Sequence, residues 1–325
     1  MRQHHGAMRE HPLIDPELRP GLDTMRDRPV NGATLADLRR ERAREAAEAP
    51  PPNPALATLA VHALGPVSVR LFTPVGGDPD LLHPALLHLH GGGYVMGSAA
   101  GADAEKAALC AELACVIASV EYRLAPETPH PGPVEDAYAA LRWLHDNAAA
   151  LQVDRTRIAV GGESAGGGLA AALALLARDR GEIGLVFQHL MYPMLDDRTV
   201  TADPHPFTGD LVWTRDDNRF AWTSLLGAEP GGADVSPYAA PARAADLSGL
   251  PPAFIAVGTL DLFIDEDIEY ARRLIRAGVP TELHVFPGAY HAFDQITSAR
   301  SALVARNRSR SALRGALHPR RSGHS

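Results

Sequence analysis

Residues 157–180 read RIAVGGESAGGGLAAALALLARDR. A β-branched apolar run, Ile158-Ala159-Val160, leads into Gly162-Glu163-Ser164-Ala165-Gly166, and an Ala/Leu-rich helix follows at once. G-x-S-x-G between a strand and a helix marks a serine held out on a sharp turn at the carboxyl end of a sheet. Glycines flank it because side chains there would collide with neighbouring elements, and because the turn strains the backbone. The helix start behind the serine supplies free N–H groups and the positive end of a dipole. The competing reading is a glycine-rich phosphate-binding turn. Against it, the stretch has no lysine in the P-loop position and no G-x-G-x-x-G followed by a ribose-binding acid.

Upstream, residues 86–97 read LLHLHGGGYVMG. A strand ends at His90, and Gly91, Gly92 and Gly93 follow, so main-chain N–H groups can approach a ligand closely. An HGGG motif after the third strand is the expected partner of a serine elbow. The predicted oxyanion donors are the N–H groups of Gly92, Gly93 and Ala165, with His90, Gly91 and Glu163 as supporting motif positions. Loss of one such donor costs roughly 3–4 kcal/mol of transition-state stabilisation. His90 is expected to brace the glycine loop by hydrogen bonds.

A serine hydroxyl needs a base to take its proton, and the base needs a carboxylate to orient it. In the strand–turn–helix context the chain order is serine, acid, histidine. The strand at 253–257 runs into Gly258-Thr-Leu-Asp261, and the strand at 282–286 runs into Pro287-Gly-Ala-Tyr-His291. Asp261 and His291 therefore fall on the rim where Ser164 emerges. Asp265, Glu266 and Asp267 compete for the acid, but their place suits the negatively charged first turn of the next helix. His284 competes for the base, but lies inside a strand rather than on a loop.

The rest of the chain fits this centre. Apolar runs at 56–64 and 67–73, split by Gly65-Pro66, read as a hairpin. Six more runs occur at 85–89, 115–120, 157–160, 185–191, 253–257 and 282–286. Helical segments at 101–113, 134–149, 165–179 and 266–277 alternate with most of them, which argues for a mostly parallel sheet covered on both faces. The stretch 195–250, rich in Asp, Pro, Gly and Trp, breaks the rhythm and reads as a cap insert with one helix near 215–226. Residues 1–52 are polar and helix-prone. Thr34 with Asp37 three residues on resembles a capping box. The expected organisation is a helical cap segment at 1–52, a catalytic domain at 53–318 to whose cap 195–250 contributes, and a flexible tail at 319–325.

Length and composition bound the rest. The 325 residues are 46% apolar and 22% charged, with 31 basic against 39 acidic residues. A net charge of −8 disfavours a nucleic-acid partner. The arginines near the end (Arg306, Arg308, Arg310, Arg314, Arg320, Arg321) read as a solvated last helix and a frayed tail. No apolar stretch reaches the ~20 residues of a membrane span, and the first twenty residues lack the apolar core of a signal peptide. A cytoplasmic location is expected, with Cys110 and Cys115 as buried free thiols. The chemistry requires no cofactor and no metal. The eighth strand would be a sheet edge, which invites pairing with a second copy.

His90-Gly-Gly-Gly93, Tyr122-Arg-Leu-Ala-Pro-Glu127, Gly162-Glu-Ser-Ala-Gly166, Asp261 four residues before Asp265, and His291-Ala-Phe293 together resemble the hormone-sensitive lipase family (bacterial family IV) of carboxylesterases. The resemblance covers about 55–318 and implies the α/β-hydrolase fold: eight strands, helices on both faces and a helical cap. It implies Ser164, Asp261 and His291 as the catalytic triad, a small-molecule ester as substrate, and short acyl chains. It also implies that Tyr122–Glu127 holds the chain beneath the oxyanion loop. The chain departs from the family at Asp261-Leu262 in place of Asp-Pro, His291-Ala-Phe in place of His-Gly-Phe, and Glu163 in place of Asp or Thr. An amidase, lactonase or carbamate hydrolase would use the same triad, and a receptor of the same fold would lack the histidine that His291 supplies. Trp213, Phe220 and Trp222 are candidates for the acyl pocket, although aromatic residues in such positions also serve simple packing.

Overall fold

Gly65 takes a φ of 71° and turns the chain so that Leu64 pairs with Val67. This closes a hairpin between β1 (Ala57–Leu64) and β2 (Val67–Pro74) in the computed structural model, which describes residues 11–25, 28–76 and 81–319. The other expected runs become β3 (His83–Leu89), β4 (Val116–Glu121), β5 (Val153–Glu163), β6 (Phe187–Met191), β7 (Ala253–Gly258) and β8 (Thr281–Phe286). They form one eight-stranded sheet in the order β1-β2-β4-β3-β5-β6-β7-β8. β2 pairs antiparallel with β1 and β4, and every other pair is parallel. The helices are α1 (Leu35–Glu48), α2 (Asp103–Leu113), α3 (Gly132–Asp146), α4 (Ala165–Arg180), α5 (Arg215–Leu226), α6 (Ile264–Arg276) and α7 (Arg300–Leu317).

Strand side chains alternate between the two faces, and each face has its own core. Ala85, Leu87 and Leu89 of β3 join the core under α3, α4 and α6. Leu86 joins the other, under α2 and α7. α4 is buried all round from Ala165 to Ala177, as an apolar helix without a polar face must be. Strand β5 runs past its apolar core into Gly161, Gly162 and Glu163. The two glycines let it do so: a Cβ on Gly162 would collide with the Leu89 carbonyl oxygen of β3 and with Gly166 of α4.

The segments expected to form a cap touch loops that follow the carboxyl ends of β3, β4 and β8. Leu18 and Ile14 pack beside Tyr290, whose hydroxyl donates to Leu18 O (2.8 Å), and Asp15 N–H donates to Gly288 O (3.0 Å). Arg39 of α1 holds Val95 O and Ala125 O at 2.7 Å and the Glu127 carboxylate at 2.7 and 2.9 Å. Val30 N–H donates to Asp217 of α5 (2.6 Å), which ties the N-terminal segment to the 195–250 insert. The expected capping box at Thr34 does not form, because the Thr34 hydroxyl turns back to Pro29 O (2.6 Å). Thr214 and Asp217 form one at the start of α5 instead. The expected acidic first turn of α6 is also only partly a charged one. Asp265 is exposed, but Glu266 and Asp267 are buried, and burial pushes both carboxyls well above their ordinary range. Glu266 accepts from Leu195 N–H (2.6 Å), Asp196 N–H (3.2 Å) and the Thr199 hydroxyl, so it anchors the insert. Residues 320–325 of the expected tail, and 1–10 of the expected cap segment, lie outside the described residues.

A polar cluster lies behind Ser164, on the α2/α7 side of the sheet, around a cavity of about 50 Å³. Glu163 accepts from His88 Nε2 (2.9 Å) and from Lys106 Nζ (3.4 Å). His88 Nδ1 bonds the Ser119 hydroxyl of β4 (3.1 Å). Burial alone would push the Glu163 carboxyl up, but His88 and Lys106 hold it well below the carboxylate range. Lys106 is only 3% exposed, yet Glu163 and Glu105 keep it charged against the burial that favours its neutral form. Asp294 accepts from the Tyr192 hydroxyl (2.7 Å), and burial pushes its carboxyl up to about 6.

Glu163→Gln should destabilise the fold on the order of 3 kcal/mol in urea unfolding, since it leaves a buried ammonium with Glu105, 3.8 Å away, as its one carboxylate within 4 Å among the described residues. Stability equal to wild type would show that Lys106 does not depend on Glu163. For Asp294 the sign follows from linkage. An unfolded aspartate titrates near 4 and the folded one near 6, so the native state binds more protons in that window and loses stability as pH rises through it. The stability of Asp294→Asn relative to wild type should therefore grow from about pH 4 to about pH 6 and then level off. A difference flat across that range would contradict the elevated carboxyl.

Candidate active site

The carboxyl ends of four strands meet at one rim. β5 ends one residue before Ser164, β3 two residues before Gly91 of the glycine loop, β7 three residues before Asp261, and β8 five residues before His291. The strand order reverses around β3, β4 and β5, and open α/β sheets bind ligands outside the carboxyl ends at such a switch point. Ser164 stands at φ 58°, ψ −123°, a region that L-residues rarely occupy. Its backbone is held on both sides: Ser164 N–H donates to Met191 O (2.9 Å), and Ser164 O accepts from Gly168 and Met194 N–H (both 3.0 Å).

The three residues expected to work together do meet. The Ser164 hydroxyl lies 2.9 Å from His291 Nε2, and His291 Nδ1 lies 2.8 Å from Asp261 Oδ2. Asp261 Oδ1 accepts from Phe263 N–H (3.0 Å), which fixes the carboxylate plane. All three are buried. Around the imidazole, Tyr192 and Phe263 present ring edges with centroids at 4.9 and 5.3 Å. His284, the other candidate base, faces Glu282 on β8 (2.6 Å) and not the serine. Cys110 and Cys115 are free and buried, and burial pushes both thiols up, Cys110 to about 12, so neither is a nucleophile at neutral pH.

Gly92 and Gly93 have φ of 120° and 62°, and among the described residues neither N–H finds a protein acceptor. Ala165 opens α4, so its N–H is one of the donors a helix leaves unpaired. Gly91 packs against the elbow: a Cβ there would lie 2.9 Å from Glu163 O. His90 braces the loop as expected. Its Nδ1 donates to Gly91 O (2.9 Å), its ring stacks on Tyr122 at 4.2 Å, and burial lowers its pKa, so it stays neutral. The Tyr122–Glu127 string lies beneath the loop. The Tyr122 hydroxyl donates to His90 O (2.7 Å), Ala125 N–H donates to Tyr94 O (2.9 Å), and Arg123 is paired with Asp136 (2.6 Å).

Three supporting contacts escaped the sequence reading. The Arg39 clamp and the Tyr192–Asp294 bond join residues far apart in the chain, and nothing local marks either. Lys106 did carry a signal, a lone lysine among the apolar residues of AEKAALC.

Residues 86–295 match the alpha/beta hydrolase fold family. The chain is 36% identical to carboxylesterase NlhH of Mycobacterium tuberculosis, over 94% of this chain and 97% of that protein. It is 35% identical to the ethyl acetate hydrolase of Pseudomonas putida, over 71% and 72% of the two chains. The solved structure of a bacterial heroin esterase superposes with a TM-score of 0.85 at 39% identity, covering 95% of this chain and 99% of that one. Motifs, sheet order and relatives agree, and the chain belongs to the α/β-hydrolase family, among its hormone-sensitive-lipase-like carboxylesterases.

Proposed function

We propose that this protein hydrolyses short-chain acyl esters through Ser164, His291 and Asp261 by way of an acyl-enzyme. The observation that carries the reading is the unbroken hydrogen-bond path from the Ser164 hydroxyl through the imidazole to Asp261. Ser164 Oγ attacks the ester carbonyl while His291 Nε2 takes its proton. Asp261 holds the imidazole with Nδ1 protonated and steadies the positive charge it acquires. The carbonyl oxygen becomes an oxyanion facing the N–H groups of Gly92, Gly93 and Ala165, whose alignment needs no reorganisation during the step. His291 then protonates the departing alcohol, and water repeats the sequence to release the acid. Short acyl chains are supported by the relative named for ethyl acetate. Residues 11–52 and 195–250 act as the cap over this centre, linked by the Val30–Asp217 bond.

Ser164→Ala should abolish turnover of p-nitrophenyl butyrate, and Asp261→Asn should lower kcat on the order of 10⁴-fold while circular dichroism stays unchanged. Wild-type turnover by either variant would remove that residue from the mechanism.

Among the described residues no helix is long and apolar enough to cross a membrane. The free buried thiols fit a reducing compartment, and we place the enzyme in the cytoplasm. β8 is the last strand of the sheet, with Val285 39% exposed. An open edge of this kind offers unpaired backbone groups to a second copy. Sedimentation equilibrium should give a dimer for wild type and a monomer for Val285→Lys. A monomeric wild type would exclude pairing along β8.

A further inference from the structure

Val212 has a φ of 61°, and Trp213 N–H donates to Leu211 O (2.6 Å). This is a three-residue turn with a β-branched residue in its left-handed centre, a conformation that is rare and strained. Such strain persists where the surroundings over-determine it, and it concentrates at functional sites. Here it delivers one side chain, Trp213, into the reaction centre. Trp213 is 4% exposed, and its indole N–H donates to Asn218 Oδ1 (3.2 Å). Its benzo edge covers Gly93: a Cβ added there would collide with Trp213 Cη2 and lie 2.8 Å from Cζ2. The same ring stands 6.3 Å from the His291 ring, centroid to centroid.

The position of the ring has a chemical meaning. The tetrahedral carbon formed on Ser164 has four substituents. One is Oγ, one is the oxyanion facing Gly92 and Gly93, and one is the departing oxygen within reach of His291 Nε2. The fourth is the acyl chain. A ring that touches the oxyanion loop on one side and faces the base on the other closes off the space into which that fourth substituent extends. Resting on the ester-hydrolase reading above, we propose that Trp213 is the residue that sets acyl-chain length, acting as a rigid wall beyond the first few carbons of the acyl group. Trp222 shares that buried core but packs against Tyr94 (6.1 Å), and it is Trp213 that lies against Gly93 and His291.

The test is kcat/KM for p-nitrophenyl acetate, butyrate, hexanoate and octanoate, and in parallel for acetate esters of alcohols of increasing size. Wild type should fall steeply beyond the short acyl esters. Trp213→Ala should raise the octanoate-to-acetate ratio by about tenfold or more, the scale on which pocket methylenes discriminate, with the alcohol series changing little. Trp213→Phe keeps an aromatic ring but removes the benzo edge and, with it, the indole N–H to Asn218 Oδ1, and should give an intermediate ratio, so a poorly folded alanine variant does not spare the proposal. An active wild type whose acyl ratio is the same in both variants, or a change confined to the alcohol series, overturns the role of Trp213 alone. A wild type inactive on every ester overturns this role together with the esterase reading.

Discussion

A serine held at φ 58°, ψ −123° is the constraint on which the rest of the molecule is organised. An isolated chain would not keep that conformation, which costs on the order of 1–3 kcal/mol. It persists because β5 and α4 are both buried and enter the turn from fixed directions, and because the Ser164 backbone bonds to Met191, Gly168 and Met194. Glycines at 162 and 166 allow the approach, since any side chain there would strike the Leu89 or His90 carbonyl. The strain therefore has a geometric product: a hydroxyl projecting clear of the sheet at the height where β3, β7 and β8 end.

Around that point the protein uses charge on one side and backbone donors on the other. The Lys106–Glu163–His88 cluster lies behind the elbow and ties β5 to α2 and, through Ser119, to β4. Buried ionic groups of this kind add little net stability compared with apolar packing, but they are costly to separate, which suits a position that must not slip. On the other side the donors proposed above are main-chain N–H groups, which have no rotamers to lose and hold their direction as the surrounding chain dictates.

The N-terminal segment and the 195–250 insert are held both by apolar side chains that join the two cores, such as Leu18, Leu38 and Trp222, and by long-range polar contacts. α1 contributes few buried apolar residues. Beside buried Leu35 and Leu38, its hold on the domain includes the guanidinium of Arg39, which spans Val95 beside the glycine loop and Ala125 and Glu127 beneath it. A planar fork bonded to several fixed acceptors is well suited to that task. Glu266 does the corresponding work for the insert, gathering Leu195, Asp196 and Thr199 onto α6. The N-terminal segment and the glycine loop thus share one anchor, Arg39.

Much of this was legible in the chain. Alternation and the Gly65-Pro66 break placed the hairpin, and short apolar runs placed the other six strands, since those signals arise within a few residues of where they act. Ser164, Asp261 and His291 were legible because each follows a strand end, and parallel strands put all such ends on one rim. Other features depend on distance in space. The Thr34 capping box failed because its hydroxyl turns back to donate to Pro29 O and accept from Asn31 N–H, and Glu266 and Asp267 of α6 are pushed toward their neutral forms because tertiary packing buried them. Arg39 reaching Glu127, Tyr192 bonding Asp294 and Trp213 lying across Gly93 join segments that local pattern cannot connect. The sequence by itself determined periodicity, turn chemistry and the kinds of side chain at the rim. Only the tertiary structure decided which partners those side chains find, because burial and hydrogen-bond competition are properties of neighbours in space.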